Sequence, residues 1–215
     1  MIYCMSDIHG EIDRFHEMLQ LIQFSEEDTL YILGDVIDRK PSGVDILREI
    51  MDTPNIIIML LGNHEQMCLD TLGPVSVYGS RSLWQQNGGQ DTYGELLYVC
   101  SKVERTKILR FLMSLPDYLE LEVNGRQFYL VHAFPSDKPD ERIWNRPDPK
   151  APAPMENSTV IVGHTPTCYL SENYGDVFKI WHGDGIIDID CGCGSTTEKR
   201  CLACLRLDDM KEFYV

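Results

Sequence analysis

Ile2-Tyr3-Cys4-Met5-Ser6-Asp7-Ile8-His9-Gly10, Thr29-Leu30-Tyr31-Ile32-Leu33-Gly34-Asp35 and Ile56-Ile57-Ile58-Met59-Leu60-Leu61-Gly62-Asn63-His64-Glu65 repeat one plan. Each is a short apolar run that breaks at Ser or Gly and hands over to Asp, His or Asn. Between the runs lie helical patterns. Residues 11–24 place Phe15, Leu19 and Ile22 on one face at i, i+4 and i+7, and residues 44–51 read as a second helix. The β-α-β-α-β rhythm predicts parallel strands covered by helices. Ligands of open α/β sheets gather outside the carboxyl ends of the strands. All three ends carry residues that can bind or catalyse.

The second half changes character. Residues 94–115 read as one helix stopped by Pro116, and residues 118–123 and 127–131 flank Asn124-Gly125, a hairpin turn signal. Further strands are expected at 159–162, 178–181, 186–189 and 201–207. Residues 134–158 hold Pro135, Pro139, Pro147, Pro149, Pro152 and Pro154, six of the eleven prolines, and are expected to be irregular. An irregular stretch that long inside a compact domain is usually functional or disordered. The expectation is one α/β (α+β) domain over 1–215.

Composition narrows the function classes. Nineteen Lys and Arg against 34 Asp and Glu give a formal net charge of −15. That sign disfavours sequence-independent binding to nucleic acid or to anionic membranes. The longest apolar run, residues 56–61, is six residues, far short of the roughly 20 that span a bilayer. The start meets Asp7 too soon for a secretory signal, so a cytoplasmic protein with reduced thiols is expected. Eight cysteines include Cys191-x-Cys193 and Cys201-x-x-Cys204. A zinc site there is conceivable, but the first pair is tighter than structural-zinc spacing, and a Gly-rich turn followed by a last strand is the preferred reading.

Asp7, His9, Asp35, Asn63, His132 and His164 each follow an apolar strand, so six N/O donors could converge at one sheet edge. A mixed Asp/His/Asn set suits Mn, Fe, Zn or Ni rather than the all-oxygen shell of calcium. One carboxylate bridging two ions would make a dinuclear centre. His16 reads as an ordinary surface residue. His182, in a turn, competes with His164, which follows the strand Val160-Ile161-Val162 and is preferred.

Asp7-Ile8-His9-Gly10, Gly34-Asp35-Val36-Ile37-Asp38-Arg39, Gly62-Asn63-His64-Glu65, Val131-His132-Ala133, Ile143-Trp144-Asn145-Arg146 and Gly163-His164-Thr165-Pro166 together resemble the phosphoprotein-phosphatase branch of the calcineurin-like metallophosphoesterases. The small bacterial and phage serine/threonine phosphatases, of the lambda-phage type, are the most similar group. The resemblance implies a sandwich of two mixed β-sheets flanked by helices and two divalent metals, manganese first and iron, zinc or nickel next. Asp7 and His9 would bind one metal and Asn63, His132 and His164 the other, with Asp35 bridging. Arg39 and Arg146 would grip the phosphate. His64, held and raised in pKa by Asp38, would protonate the leaving alkoxide of a phosphorylated protein or peptide. Trp84-x-x-Asn87-Gly88-Gly89 also resembles bacterial relatives and is read as structural. Leu61 replaces an Arg common in protein phosphatases, a feature shared with bacterial diadenosine tetraphosphate hydrolases. Hydrolysis of such nucleotide polyphosphates is therefore the alternative activity. A non-catalytic phosphopeptide-binding scaffold is the alternative of another class, and the oligomeric state is open.

Overall fold

The structure is a computed structural model that describes residues 1–54, 56–170 and 177–215. In chain order its elements are β1 (Ile2–Met5), α1 (Ile12–Leu21), β2 (Thr29–Ile32), α2 (Gly43–Asp52), β3 (Ile57–Met59), α3 (Asn63–Leu72), α4 (Ser80–Gln86), α5 (Gln90–Gly94), α6 (Lys102–Met113), β4 (Tyr118–Val123), β5 (Arg126–Val131), α7 (Pro139–Trp144), β6 (Thr159–Val162), β7 (Trp181–His182), β8 (Ile186–Asp188), β9 (Ala203–Arg206) and β10 (Lys211–Tyr214). They build two mixed five-stranded sheets, ordered β10-β9-β1-β2-β3 and β4-β5-β6-β8-β7. In the first, β1, β2 and β3 run parallel. In the second, β5, β6 and β8 run parallel.

The period-2 alternation of the strands explains the layering. Tyr3 and Met5 point outward into a core with Phe15, Met18, Ile46, Leu47 and Ile50 from α1 and α2, and with Ile108 and Leu112 from α6. Cys4, between them, points the other way and packs with Leu33, Leu130, Ile161, Ile187 and Leu205, which join the two sheets. Val160 and Val162 face outward again, toward Phe134, Met155 and Trp181. The fold is therefore the predicted sandwich, with its parallel strands ending along one shared edge.

Several local expectations change. Residues 94–115 do not form one helix. A short π-helical turn, Glu95–Val99, ends at Cys100, which is extended, and α6 restarts behind Ser101. Ser101 Oγ accepts the Glu104 N–H at 3.2 Å, a side-chain N-cap that makes the restart favourable. The Pro-rich segment contains α7, opened by Pro139 at its first position, where a missing N–H costs nothing. The strand expected at 178–181 is only Trp181–His182. The hairpin turn stands where expected, with Asn124 and Gly125 both at positive φ. Among the described residues no helix is long and apolar enough to cross a membrane.

Candidate active site

β1, β2, β3, β5 and β6 deliver Asp7, Asp35, Asn63, His132 and His164 to the shared edge within five residues of each strand's last residue. The loops that carry them are unusual. Of nine non-glycine residues at positive φ among the described residues, six are Asp7, His9, Asp35, Asp38, Arg39 and His164. Such conformations are costly and persist where surrounding contacts fix them. Cross-loop backbone bonds do so here: Asp7 N–H to Gly34 O (3.2 Å), His9 N–H to Asp35 O (3.0 Å) and Arg39 N–H to Gly88 O (3.0 Å). Gly163 backs directly onto Ser6 and Asp7, and a Cβ there would overlap both side chains.

Asp35 lies at the centre. Its Oδ2 is 3.7 Å from His9 Nε2 and 3.8 Å from His64 Nε2, while Oδ1 is 3.4 Å from His132 Nε2. One oxygen thus faces each side of the pocket. On the first side, Asp7 Oδ1 stands 3.7 Å from His9 Nε2. The other Asp7 oxygen accepts the Ser6 hydroxyl at 2.5 Å and the His164 N–H at 2.9 Å. On the second side, Asn63 Oδ1 is 2.9 Å from both His132 Nε2 and His164 Nδ1.

The imidazole tautomers suit cations. His9 donates Nδ1–H to Ile37 O at 2.9 Å, and His132 donates Nδ1–H to Leu33 O at 2.6 Å. Each Nε2 is thereby left to carry the lone pair, that of His9 facing Asp7 and Asp35 and that of His132 facing Asn63 and Asp35, the arrangement that orients metal-binding histidines. His9 Nε2 is buried with no hydrogen-bond partner. Two sets of close donors occur among the described residues, His9 with Asp35 and His64, and Asp35 with His132 and His164. Neither takes a cysteine, so nothing there supports the zinc alternative at 191–204. His16 pairs with Glu49 and His182 with Glu212 near the surface, as their ordinary reading anticipates.

The pocket is electrostatically one-sided. Asp7, Asp35, Asp38, Glu65, Asp188 and Asp190 are all buried. Burial, with the carboxylates of Asp7 and Glu65, pushes Asp35 well above the usual range. Burial would raise Asp7 too, but the imidazoles of His9 and His132 and the His164 N–H hold it below its ordinary value. Burial, then the charge of Arg39, lowers His9 to about 4. Burial and His132 lower His164 to about 3. Neutral imidazoles and crowded carboxylates form a donor set that two divalent cations fit in charge as well as in ligand type.

His64 and Asp38 form a pair beside these donors. His64 Nδ1 donates to Asp38 Oδ2 at 2.6 Å, and Arg39 donates to His64 Nε2 at 3.3 Å. The expectation that Asp38 raises His64 is reversed. Burial and the adjacent guanidinium hold His64 well below the ordinary imidazole value, while burial lifts Asp38 to about 6. Arg39 and Arg146 are both exposed at the rim, and the Arg146 charge reaches His164, Asp188 and Asp190.

Four supporting residues were given no role at the site by the sequence reading, although Glu65 and Trp84 stand in its motifs. Glu65 Oε2 accepts the N–H groups of Asp35 and Gly62, and Oε1 those of Val36 and Ile37. A Glu three residues into a helix was its signal. Trp84, read as merely structural, donates Nε1–H to Asp38 Oδ2 at 2.7 Å. Asp188 and Asp190 lie buried at the end of β8, where Asp190 Oδ1 accepts the Gly192 N–H at 2.8 Å.

A family described as calcineurin-like phosphoesterase matches residues 1–187. Curated relatives named symmetrical bis(5'-nucleosyl)-tetraphosphatase are similar over part of the chain. The protein of Acidovorax ebreus (strain TPSY) is 32% identical over 133 residues, 61% of this chain and 43% of the relative. That of Delftia acidovorans (strain DSM 14801 / SPH-1) is 43% identical over 134 residues, again 61% and 43%. The match therefore spans less than half the length of these relatives. Among solved structures, one described as a putative diadenosine tetraphosphatase aligns at TM-score 0.66 and 17% identity, covering 100% of this chain and 92% of that one. A Saccharomyces cerevisiae serine/threonine phosphatase similar to human PP5 aligns at TM-score 0.65 and 13% identity, covering 100% and 78%. At these identities both likenesses speak to the fold alone.

Proposed function

This chain belongs to the calcineurin-like phosphoesterase family, and we propose that it is a two-metal hydrolase of nucleoside polyphosphates, splitting a phosphoanhydride with water. The observation that carries the hydrolytic reading is the Asp35 carboxylate, set between two groups of unprotonated imidazole nitrogens. Asp7 and His9 would hold one cation, Asn63, His132 and His164 the second, and Asp35 both; manganese is the first metal to test. Bound there, two divalent cations activate water and polarise phosphoryl oxygens.

The chain's own groups do the rest. Arg39 and Arg146 present planar guanidinium groups that match phosphate oxygens in bidentate fashion. The nucleotide class is supported by the relatives named symmetrical bis(5'-nucleosyl)-tetraphosphatase and by Trp144. Its indole stands edge-on to His164, ring centroids 6.1 Å apart, and is 39% exposed two residues before Arg146. A flat aromatic surface at the rim of a phosphate site suits a nucleobase.

A second reading, phosphoserine or phosphothreonine hydrolysis in proteins, is favoured by the His64–Asp38 pair. A nucleoside diphosphate leaves readily without a proton, whereas a serine alkoxide needs one; His64, its ring fixed by Asp38 and its Nε2 accepting from Arg39 at the pocket, would give that proton only after taking one up at Nε2. A non-catalytic scaffold would have no use for the intact donor set. The deciding experiment measures kcat/KM with manganese on diadenosine tetraphosphate and on a phosphoserine peptide. A large preference for the dinucleotide supports the proposal, a preference for the peptide selects the second reading, and turnover of neither refutes both.

A further inference from the structure

Residues 134–146 leave the metal-binding edge behind His132 and come back to it at Trp144, beside His164. Apolar burial does little to hold them there. α7 is six residues long and buries only Ile143, and isolated helices shorter than about 12–15 residues are marginal in water. The surface contacts of Glu141 with Lys138 and Ser136 join the segment to itself, so they cannot fix it to the sheet. One side chain does. Arg142 donates Nε–H to Ser136 O at 2.6 Å and Nη1–H to Asp117 Oδ2 at 2.5 Å. Its guanidinium lies 4.8 Å from the Tyr118 ring centroid, and Tyr118 stacks in turn on Tyr129 at 5.1 Å. The Arg142 backbone adds to this, its carbonyl accepting the Ala133 N–H at 2.8 Å.

The anchor is itself tied to the site. Asp117 follows Pro116, whose carbonyl accepts the Leu61 N–H at 2.9 Å, and Leu61 precedes Gly62-Asn63. Tyr118 pairs across the sheet with Val131, the residue before His132. Arg142 thus connects α7 to the two strands that deliver Asn63 and His132. The side chain is only 15% exposed, so its pair with Asp117 is a charge-assisted hydrogen bond shielded from water rather than a screened surface contact. We propose that Arg142 is a positioning residue: it holds α7 against the sheet so that Arg146 and Trp144, just beyond, stand at a fixed place over the metal-binding edge. It acts through Arg146 and does not itself meet phosphate. A lysine could reach Asp117 but could not hold Ser136 O in the same planar fork.

This role rests on the proposed hydrolase, in which Arg146 grips phosphate, and the test keeps the two apart. The full chain loaded with manganese is assayed on para-nitrophenyl phosphate as wild type, Arg142→Ala, Arg146→Ala and the double variant. Arg142→Ala should raise KM and lower kcat/KM toward the Arg146→Ala values while metal analysis still finds both ions. The double variant should match Arg146→Ala within about twofold, because residues that act through one another do not add. Arg142→Lys should recover part of the loss. Wild-type kinetics in Arg142→Ala, losses that multiply in the double variant, or a lower kcat at unchanged KM would each overturn the role. A second arm needs no turnover. In Asp117→Ala, trypsin should cut the Arg142–Ile143 bond about 10–150-fold faster than in the wild type, the worth of one lost charge-assisted hydrogen bond, with sites elsewhere cut no faster. Cleavage there at the wild-type rate refutes the latch whatever the substrate proves to be, whereas a wild type that hydrolyses no phosphate ester or anhydride sinks the hydrolase reading alone.

Discussion

Glu65→Gln should destabilise the protein far more than an isosteric change of one buried side chain ordinarily does. Both Glu65 oxygens accept two backbone N–H groups: Oε2 from Asp35 at 2.9 Å and Gly62 at 3.1 Å, Oε1 from Val36 at 2.9 Å and Ile37 at 3.3 Å. An amide has one oxygen, so whichever way glutamine turns, its NH₂ faces two N–H donors. Burial raises the Glu65 carboxyl to about 7, but a protonated oxygen still has a lone pair to offer and an NH₂ has none. Two hydrogen bonds to a charged group are lost, at about 1.5–3 kcal/mol each, or roughly 3–6 kcal/mol together. A typical domain has only about 5–15 kcal/mol of stability to lose. Urea unfolding of both proteins, followed by circular dichroism under matched metal, measures the difference. A loss below about 1 kcal/mol would show that Glu65 does not hold the 35–37 loop, and the geometric argument would fail.

Asp35→Asn should lose metal and activity together, because one carboxylate faces both donor groups; metal analysis showing two ions retained at full rate would refute bridging. Arg146→Ala should raise KM and lower kcat/KM while leaving the urea midpoint unchanged, since the side chain is exposed; unchanged kinetics would remove it from phosphate binding. His64→Asn should keep the metals but slow phenyl phosphate more than para-nitrophenyl phosphate, the former by roughly 10²–10⁴ if proton donation is lost. Equal losses on the two would assign His64 to positioning alone.

The first seventy residues show what a sequence can and cannot disclose. β1, β2 and β3 were legible because their apolar runs are continuous, and α1 and α2 because apolar residues recur on one face. α3 was not, although it carries three of the motif residues, Asn63, His64 and Glu65. Its buried positions are Asn63, His64, Glu65, Met67 and Cys68, so the inward face is largely polar and the 3.6-residue apolar period is hidden by the chemistry it serves. The break at Cys100 was invisible for the opposite reason: Leu96, Cys100, Ile108 and Leu112 are all buried in one core, and apolar patterning runs through a backbone that does not. Asp188 and Asp190 escaped because a strand ending in acid looks like the start of a turn. Only the packing of the two sheets brings those carboxylates under the site.

Site and fold are coupled through strain. Six positive-φ residues at about 1–3 kcal/mol each amount to roughly 6–18 kcal/mol, as large as the whole stability of a typical domain. That cost is tolerable only if the strained loops are held by one another. Asp7 and His9 bond to the loop after β2, Arg39 bonds to Gly88, and Asp7 Oδ2 receives the His164 N–H from the other sheet. Glu65 then ties the Asp35 loop to the start of α3. Each loop therefore depends on a neighbour from another part of the chain, and the donors reach their positions only once both sheets have packed. A change that loosens the sandwich, such as cavity formation at Leu130 or Ile161 in the layer between the sheets, should therefore reach the metal-binding edge even though neither side chain belongs to it.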